Sequence, residues 1–121
     1  MPALELDART WAGLDYLESL SGPGAIAEIV EAYRRDAPDR LARMRAALGA
    51  EEREQLGRLA HDLKANSATL GVLALADLAA NLERNARDGL VEDLTATLEA
   101  AEALLPRALL LLEERAGLYP A

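Results

Sequence analysis

Apolar residues recur three and four positions apart along the whole chain, which is the spacing of one face of an α-helix and not the alternation of a strand. Glycine, alone or with proline, separates five such runs. The first run carries Trp11, Leu14 and Leu17, and Asp7 before it is a residue type that caps helix N-termini. The segment 21–24, Ser-Gly-Pro-Gly, ends this first predicted helix.

Pro38 falls inside the second run, which Gly49 ends. Because proline lacks the helical N–H donor and crowds the preceding turn, the sequence predicts either one kinked helix or two helices that meet there. The apolar positions of this run are Ile26, Ile29, Val30, Tyr33, Leu41, Met44 and Leu48.

Three further helices are predicted after this one. The third spans about 51–70, with acidic residues in its first turn and Gly71 as its stop. The fourth spans about 72–88 and is followed by Gly89, and the fifth begins directly afterwards and is expected to bend at Pro106. Short connections between long amphipathic helices favour antiparallel neighbours, so we predict an all-α, up-and-down helical bundle.

The length of the chain, 121 residues, suits one hydrophobic core, and we expect a single domain over residues 1–121. Hydrophobic residues make up 51% of the chain, yet aromatic residues make up only 3% and phenylalanine is absent. The core must therefore consist of aliphatic side chains, which suits close packing of helices. The start at Met1 and the coherent ends favour a free-standing protein.

The charge of the chain argues against two classes of partner. Thirteen basic against 21 acidic residues give a formal net charge of −8, which repels nucleic acid and anionic lipid, so neither nucleic acid nor membrane is expected as a partner. The acidic N-terminus does not resemble a signal peptide, and no apolar segment is long enough to span a membrane. We therefore expect a cytoplasmic protein. Cysteine is absent, which excludes disulfides and thiolate–metal sites.

The stretch 59–71, LAHDLKANSATLG, holds the only histidine, His61, and the only lysine, Lys64. At about 100° per residue, His61 lies roughly 160° from the centre of the apolar arc of its helix and should face away from the core. An exposed histidine without a function is the alternative. The residues of the predicted core arc are Leu56, Leu59, Leu63, Ser67 and Leu70.

Small residues surround His61 on its own face, namely Gly57, Ala65 and Ala68 at positions −4, +4 and +7. Gly57 inside a helix costs about 1 kcal/mol relative to alanine. The small residues either leave a shallow floor on which another macromolecule can approach the imidazole, or admit a neighbouring helix.

Lys64 lies one turn from His61, within side-chain reach. A cation at this position disfavours the imidazolium and would offset negative charge if the ring acquired a phosphoryl group. Lysine acts here as a compact, flexible point charge, whereas arginine presents a planar fork.

Other site chemistry has little support. One histidine without cysteine cannot form a usual zinc site. A catalytic triad is not favoured either, because Asp62 directly follows His61 and points elsewhere on the helix. The Ser-Gly-Pro-Gly segment 21–24 lacks the lysine and the preceding strand of a phosphate-binding loop.

With these residues, the chain resembles the histidine-containing phosphotransfer (HPt) domains of multistep two-component phosphorelays. The family motif is matched by His61, Lys64, Ala65, Ser67, Ala68, Leu70 and Gly71. Ala65 replaces the usual glycine and Asn66 the usual serine. The resemblance extends over nearly the whole chain, through Leu6, Asp7, Ile26, Ile29, Val30, Tyr33, Pro38, Leu41, Leu48, Leu82 and Glu83.

The resemblance implies a four-helix bundle with a short additional N-terminal helix. It implies that Nε2 of His61 accepts a phosphoryl group from a receiver-domain aspartate and passes it to another receiver, with Lys64 stabilising the phosphoryl charge. Glu83 and Arg87 match positions near the phosphorylated ring, where relatives often have glutamine in place of Glu83. A solvated ion pair between Glu83 and Arg87 is the alternative.

The implied partners are response-regulator receiver domains and a hybrid sensor histidine kinase. No bound cofactor is implied, since Mg²⁺ belongs to the receiver, and no kinase activity of its own, since nothing resembles an ATP site. We expect a monomer on which Leu14, Leu17 and Arg58 contribute to docking. The competing hypothesis is a helical adaptor that binds a signalling partner without phosphoryl transfer, in which His61 is incidental.

Overall fold

The computed structural model describes residues 4–118, and five α-helices make up this part of the chain. They are α1 (Ala8–Ser21), α2 (Ala25–Gly49), α3 (Arg53–Thr69), α4 (Leu73–Asp88) and α5 (Val91–Arg115). Contacts of α2 with α3, α3 with α4, α4 with α5 and α5 with α2 close a four-helix bundle, against which α1 packs through α2. The predicted all-α bundle with an additional N-terminal helix is confirmed.

Both proline-containing runs form one helix each. Helix α2 continues through Pro38, and α5 continues through Pro106. Buried residues flank each proline, Ala37 and Leu41 in α2 and Leu105 and Ala108 in α5, so the core-facing stripe is continuous across it. Of the two outcomes predicted for Pro38, the structure therefore shows a single helix.

The N-terminus of α1 is fixed to the turn between α3 and α4. Asp7 caps α1, as predicted, by accepting a hydrogen bond from Thr10 N at 3.0 Å, and its own backbone N–H donates to Gly71 O at 2.9 Å. Trp11 Nε1 donates to Leu70 O at 2.8 Å. These bonds hold α1 against the C-terminal end of α3.

Gly71 ends α3 in the left-handed conformation, with φ +73°. A Cβ at this position would lie 3.1 Å from Trp11 Cδ1 and 3.2 Å from Asp7 N. Both the turn and the close approach of α1 therefore require glycine. The start of α3 is two residues later than predicted, at Arg53, because Glu51 takes a positive φ of 60° and belongs to the turn.

Among residues 4–118, none of the helices combines the length and the apolar character needed to cross a membrane.

Candidate functional site

The face of α3 that is buried in the bundle is the face predicted from the sequence. Its core arc, from Leu56 to Leu70, is buried, including Ser67. The hydroxyl of Ser67 lies 2.7 Å from that of Tyr33 on α2, so this buried polar pair is hydrogen-bonded, and burial raises the pKa of Tyr33 to about 12. With its inner face held in this way, α3 presents His61 to solvent, and the His61 side chain is 60% exposed.

Glu83 reaches from α4 to both of the residues singled out on α3. One carboxylate oxygen, Oε2, lies 2.9 Å from His61 Nδ1. The other, Oε1, accepts a hydrogen bond of 2.7 Å from Lys64 Nζ. The hydrogen bond from Lys64 lowers the pKa of Glu83, with a smaller contribution from His61, so the carboxylate is ionised at neutral pH.

The contact with Glu83 determines which nitrogen of the neutral ring carries the proton. An ionised carboxylate can only accept hydrogen bonds, so Nδ1 must be the donor. The lone pair then resides on Nε2, at the edge of the ring away from Glu83. An exposed imidazole with a free Nε2 lone pair is a nucleophile that a macromolecular partner can reach.

A groove of about 760 Å³ lies between α3 and α4, and His61 forms part of its wall. Gly57 from α3 and Ala86 from α4 keep it open, and a Cβ added at Gly57 would lie 3.8 Å from the Cβ of Ala86, in ordinary van der Waals contact. Gly57 therefore faces a neighbouring helix and also lines an open surface, and its role as a floor for an approaching macromolecule stays a prediction. Ala65 and Ala68 are exposed.

Two further residues that the sequence predicts near the site, Arg58 and Arg87, both line the groove. Glu83 pairs with Lys64, whereas Arg87 Nε lies 3.5 Å from Asp88 Oδ1, so the predicted alternative of a Glu83–Arg87 ion pair is not the arrangement found.

The docking prediction for Leu14 is wrong. Its side chain is only 8% exposed and belongs to the hydrophobic core, since the face of α1 that carries Trp11 and Leu14 packs inward. Leu17, three residues after Leu14 on the same helix, is 57% exposed.

Sequence reasoning did not find the link from Glu83 to Nδ1, because it joins residues 22 positions apart on different helices. Ala86 was not predicted either, although its position three residues after Glu83 places the two residues on the same face of α4. Within the described range 4–118, no group of three or more histidine or acidic side chains is arranged to hold a metal ion.

Comparisons with known proteins identify the family of this chain. The family model described as "Hpt domain" matches residues 28–114. The crystal structure of histidine-containing phosphotransfer protein B (HptB) from Pseudomonas aeruginosa PAO1 is similar, with a TM-score of 0.85 and 26% sequence identity over 98% of this chain and 100% of that chain. The search of curated proteins found no match. The chain belongs to the Hpt domain family, and its role is that of a phosphorelay intermediate.

Proposed function

We propose that Nε2 of His61 is the atom that accepts the phosphoryl group in this relay. The observation that carries the proposal is the contact of 2.9 Å between Glu83 Oε2 and Nδ1, which leaves the lone pair on the exposed nitrogen. His61 is also the only histidine of the chain, so no second imidazole competes for the role.

In the transfer step, the Nε2 lone pair attacks the phosphorus of a receiver's aspartyl phosphate. The P–N bond forms as the P–O bond to the aspartate breaks, and the aspartate leaves as a carboxylate. The ring then carries a positive charge, which the Nδ1–H···Glu83 hydrogen bond stabilises. Attack of a second receiver's aspartate on phosphorus reverses these bonds and restores the neutral ring.

Lys64 supplies a positive charge beside this reaction. Its ammonium already binds Glu83 Oε1 at 2.7 Å, and its remaining N–H donors are available to an oxygen of the phosphoryl group. Lysine can contact both groups because its ammonium has three donors on a flexible stem. Lys64 therefore stabilises the phosphorylated state while it holds Glu83 beside the ring.

The remaining parts of the relay are assigned to the partners. We propose that Mg²⁺ is bound by the receiver, that a hybrid sensor histidine kinase supplies the phosphoryl group, and that this chain acts as one monomeric domain in the cytoplasm without kinase activity. The lack of a phosphate-binding loop in the sequence supports the last point. Incubation of the chain alone with ATP and Mg²⁺ should leave it unlabelled.

The test is transfer of radiolabelled phosphate from purified, phosphorylated receiver domains. The wild type should take up label that is lost in acid, because a phosphoimidazole hydrolyses there. His61→Gln should melt at the same temperature and take up none. An acid-stable label, or unchanged label on His61→Gln, would contradict the proposal. Binding of a receiver without any transfer of phosphate to this protein would favour the adaptor hypothesis.

A further inference from the structure

Glu83 contacts the nitrogen of His61 that stays free of phosphorus in the proposed transfer. Its Oε2 lies 2.9 Å from Nδ1, and its Oε1 accepts a hydrogen bond of 2.7 Å from Lys64 Nζ. Because Lys64 binds one oxygen, the other is held towards the ring. The contact can therefore persist when a phosphoryl group is attached to Nε2, at the opposite edge of the imidazole.

An ionised carboxylate can form this contact with only one protonation state of the ring. It accepts hydrogen bonds and cannot donate one, so the ring must donate from Nδ1. If Nδ1 of the phosphorylated ring lost its proton, its lone pair would face the lone pairs of Glu83 Oε2 at 2.9 Å. A glutamine amide could turn over and donate an N–H to that lone pair. The carboxylate therefore favours the protonated ring more strongly than an amide does.

The proton on Nδ1 decides how easily the phosphoryl group leaves this protein. A carboxylate oxygen of the second receiver attacks phosphorus, the new P–O bond forms, and the P–Nε2 bond breaks with its electron pair left on Nε2. When Nδ1 is protonated, the ring leaves as neutral imidazole and no proton moves. Without that proton the ring would leave as imidazolate, which is a much stronger base and a poorer leaving group.

We propose that Glu83 is a positioning residue for the outgoing transfer, because its carboxylate keeps the proton on Nδ1 of phosphorylated His61 and lets the phosphoryl group depart from a neutral imidazole. The inference rests on the proposed function and concerns transfer from this protein to a receiver. It makes the phosphorylated ring a ready donor above pH values of about 6.5, where an ordinary imidazolium loses its proton.

Other charged side chains around α3 act on the ring less directly than Glu83. Three arginines and two carboxylates line the groove between α3 and α4 with Glu83 and His61, namely Arg53, Arg58, Arg87, Glu54 and Asp62. Helix α2, the other bundle neighbour of α3, contributes a balanced set to a second groove that His61 does not line, namely Asp36, Asp39, Arg40 and Arg43. Salt screens exposed charges of this kind, whereas it weakens a direct hydrogen bond much less.

The experiment measures the loss of phosphate from the phosphorylated protein as a function of pH. Wild type and Glu83→Gln are phosphorylated with phosphoramidate, a small phosphoryl donor that needs no receiver, and NMR verifies that phosphorus is on Nε2. Dephosphorylation is then followed between about pH 6 and pH 9, above the range in which carboxyl groups titrate. It is measured in buffer alone and with a receiver domain in Mg²⁺, while ¹⁵N NMR reports the proton on Nδ1.

The matched control is Glu54→Gln, which removes the same charge from the same groove. Glu54 lies seven residues before His61, about 10 Å along the helix axis, and its Oε1 is 3.7 Å from Arg58 Nη1. Its pH profile should match that of the wild type within about twofold, since exposed charges at such a distance are largely screened. Thermal unfolding at neutral pH verifies that both variants are folded.

In Glu83→Gln, the pH at which Nδ1 loses its proton and the rate falls by half should be about one unit lower than in the wild type, because a hydrogen bond between charged groups is roughly twice as strong as a neutral one. Above both midpoints the variant should lose phosphate about tenfold more slowly, and this difference should narrow as the pH falls. Profiles that superimpose, or a rate change that is equal at every pH, would overturn the proposal.

Two further results separate this inference from the proposed function. If the hydrolysis profiles differ as expected but no receiver exchanges phosphate with His61, the role of Glu83 holds and the relay step assigned to His61 fails. If receivers exchange phosphate with His61 normally and Glu83→Gln keeps the wild-type titration of Nδ1, the phospho-acceptor proposal stands and the inference is wrong.

Discussion

Glu83 is the residue that connects the chemistry of the site, because its two oxygens contact His61 and Lys64 separately. A glutamine could still accept a hydrogen bond from Nδ1–H, but it would carry no charge to balance a phosphoimidazolium. In the proposed transfer, the carboxylate therefore has two separable effects: it selects the tautomer, and it stabilises charge on the ring.

Glu83→Ala should remove both effects and Glu83→Gln only the second. We expect transfer from a receiver to slow more in Glu83→Ala than in Glu83→Gln, and ¹⁵N NMR of His61 to show loss of the Nδ1–H tautomer in Glu83→Ala alone. Receiver affinity serves as the control. Equal tautomer populations in the wild type and Glu83→Ala would show that the carboxylate does not orient the ring.

The pKa of Glu83 provides a test of Lys64. Hydrogen bonding to Lys64 is the largest cause that lowers the pKa of Glu83 below 4.5, so in Lys64→Ala the pKa of this carboxyl, measured by ¹³C NMR, should rise towards that value. Transfer should slow while the melting temperature at neutral pH changes little. Normal transfer with a large loss of stability would make Lys64 structural.

The direction in which pH changes the stability contributed by Glu83 follows from proton binding. A carboxyl with a lower pKa in the folded state binds fewer protons when folded, so it stabilises the fold above the unfolded value of 4.5. That contribution is lost as the pH falls through the lower, folded pKa. Glu83→Gln should therefore melt closest to the wild type in acid.

At the scale of the helices, periodicity was enough to predict five elements, because each buries one stripe and has a glycine at or just beyond its C-terminus. It also placed His61 opposite the core, since that needs only the helical angle. It could not predict the bond between Glu83 and His61, which depends on how α4 packs against α3. The burial of Leu14 was missed for the same reason, because it depends on the docking of α1.

The space beside Gly57 accepts a Cβ without disturbing the packing of α3 on α4. Gly57→Ala should stabilise the fold by about 0.5–1 kcal/mol, since alanine is the better helix former and the new Cβ would lie 3.8 Å from that of Ala86. Gly57→Gln should fold at least as well as the wild type and yet weaken receiver binding. Normal binding by a destabilised Gly57→Gln would mean that Gly57 serves packing alone.

Gly71 should tolerate substitution far less well than Gly57. Gly71→Ala meets both a positive φ of 73° and atoms of Trp11 and Asp7 within 3.2 Å. Gly117→Ala is the matched control, because its φ of 74° is nearly the same and the space around it is open. A left-handed alanine costs about 1–2 kcal/mol, so chemical denaturation should show that loss for Gly117→Ala and a larger one for Gly71→Ala. Equal losses would contradict the proposed close packing of α1.

At the scale of the whole molecule, the helical bundle and the receiver have separate roles. The four-helix bundle holds α3 and α4 at a fixed distance, and this places Glu83 beside His61 while the rest of the imidazole stays in solvent. In the proposed transfer, the fold supplies an oriented nucleophile on a rigid surface, and the receiver supplies the phosphoryl group. This explains why so small an aliphatic domain can serve as a relay.

The most direct test of this account is to find the atom that carries the phosphorus. Uniformly ¹⁵N-labelled protein, phosphorylated by a receiver, is examined by NMR for coupling between phosphorus and the ring nitrogens of His61. The account predicts coupling to Nε2, with Nδ1 protonated and hydrogen-bonded to Glu83. Phosphorus on Nδ1, or on any residue other than His61, would contradict it.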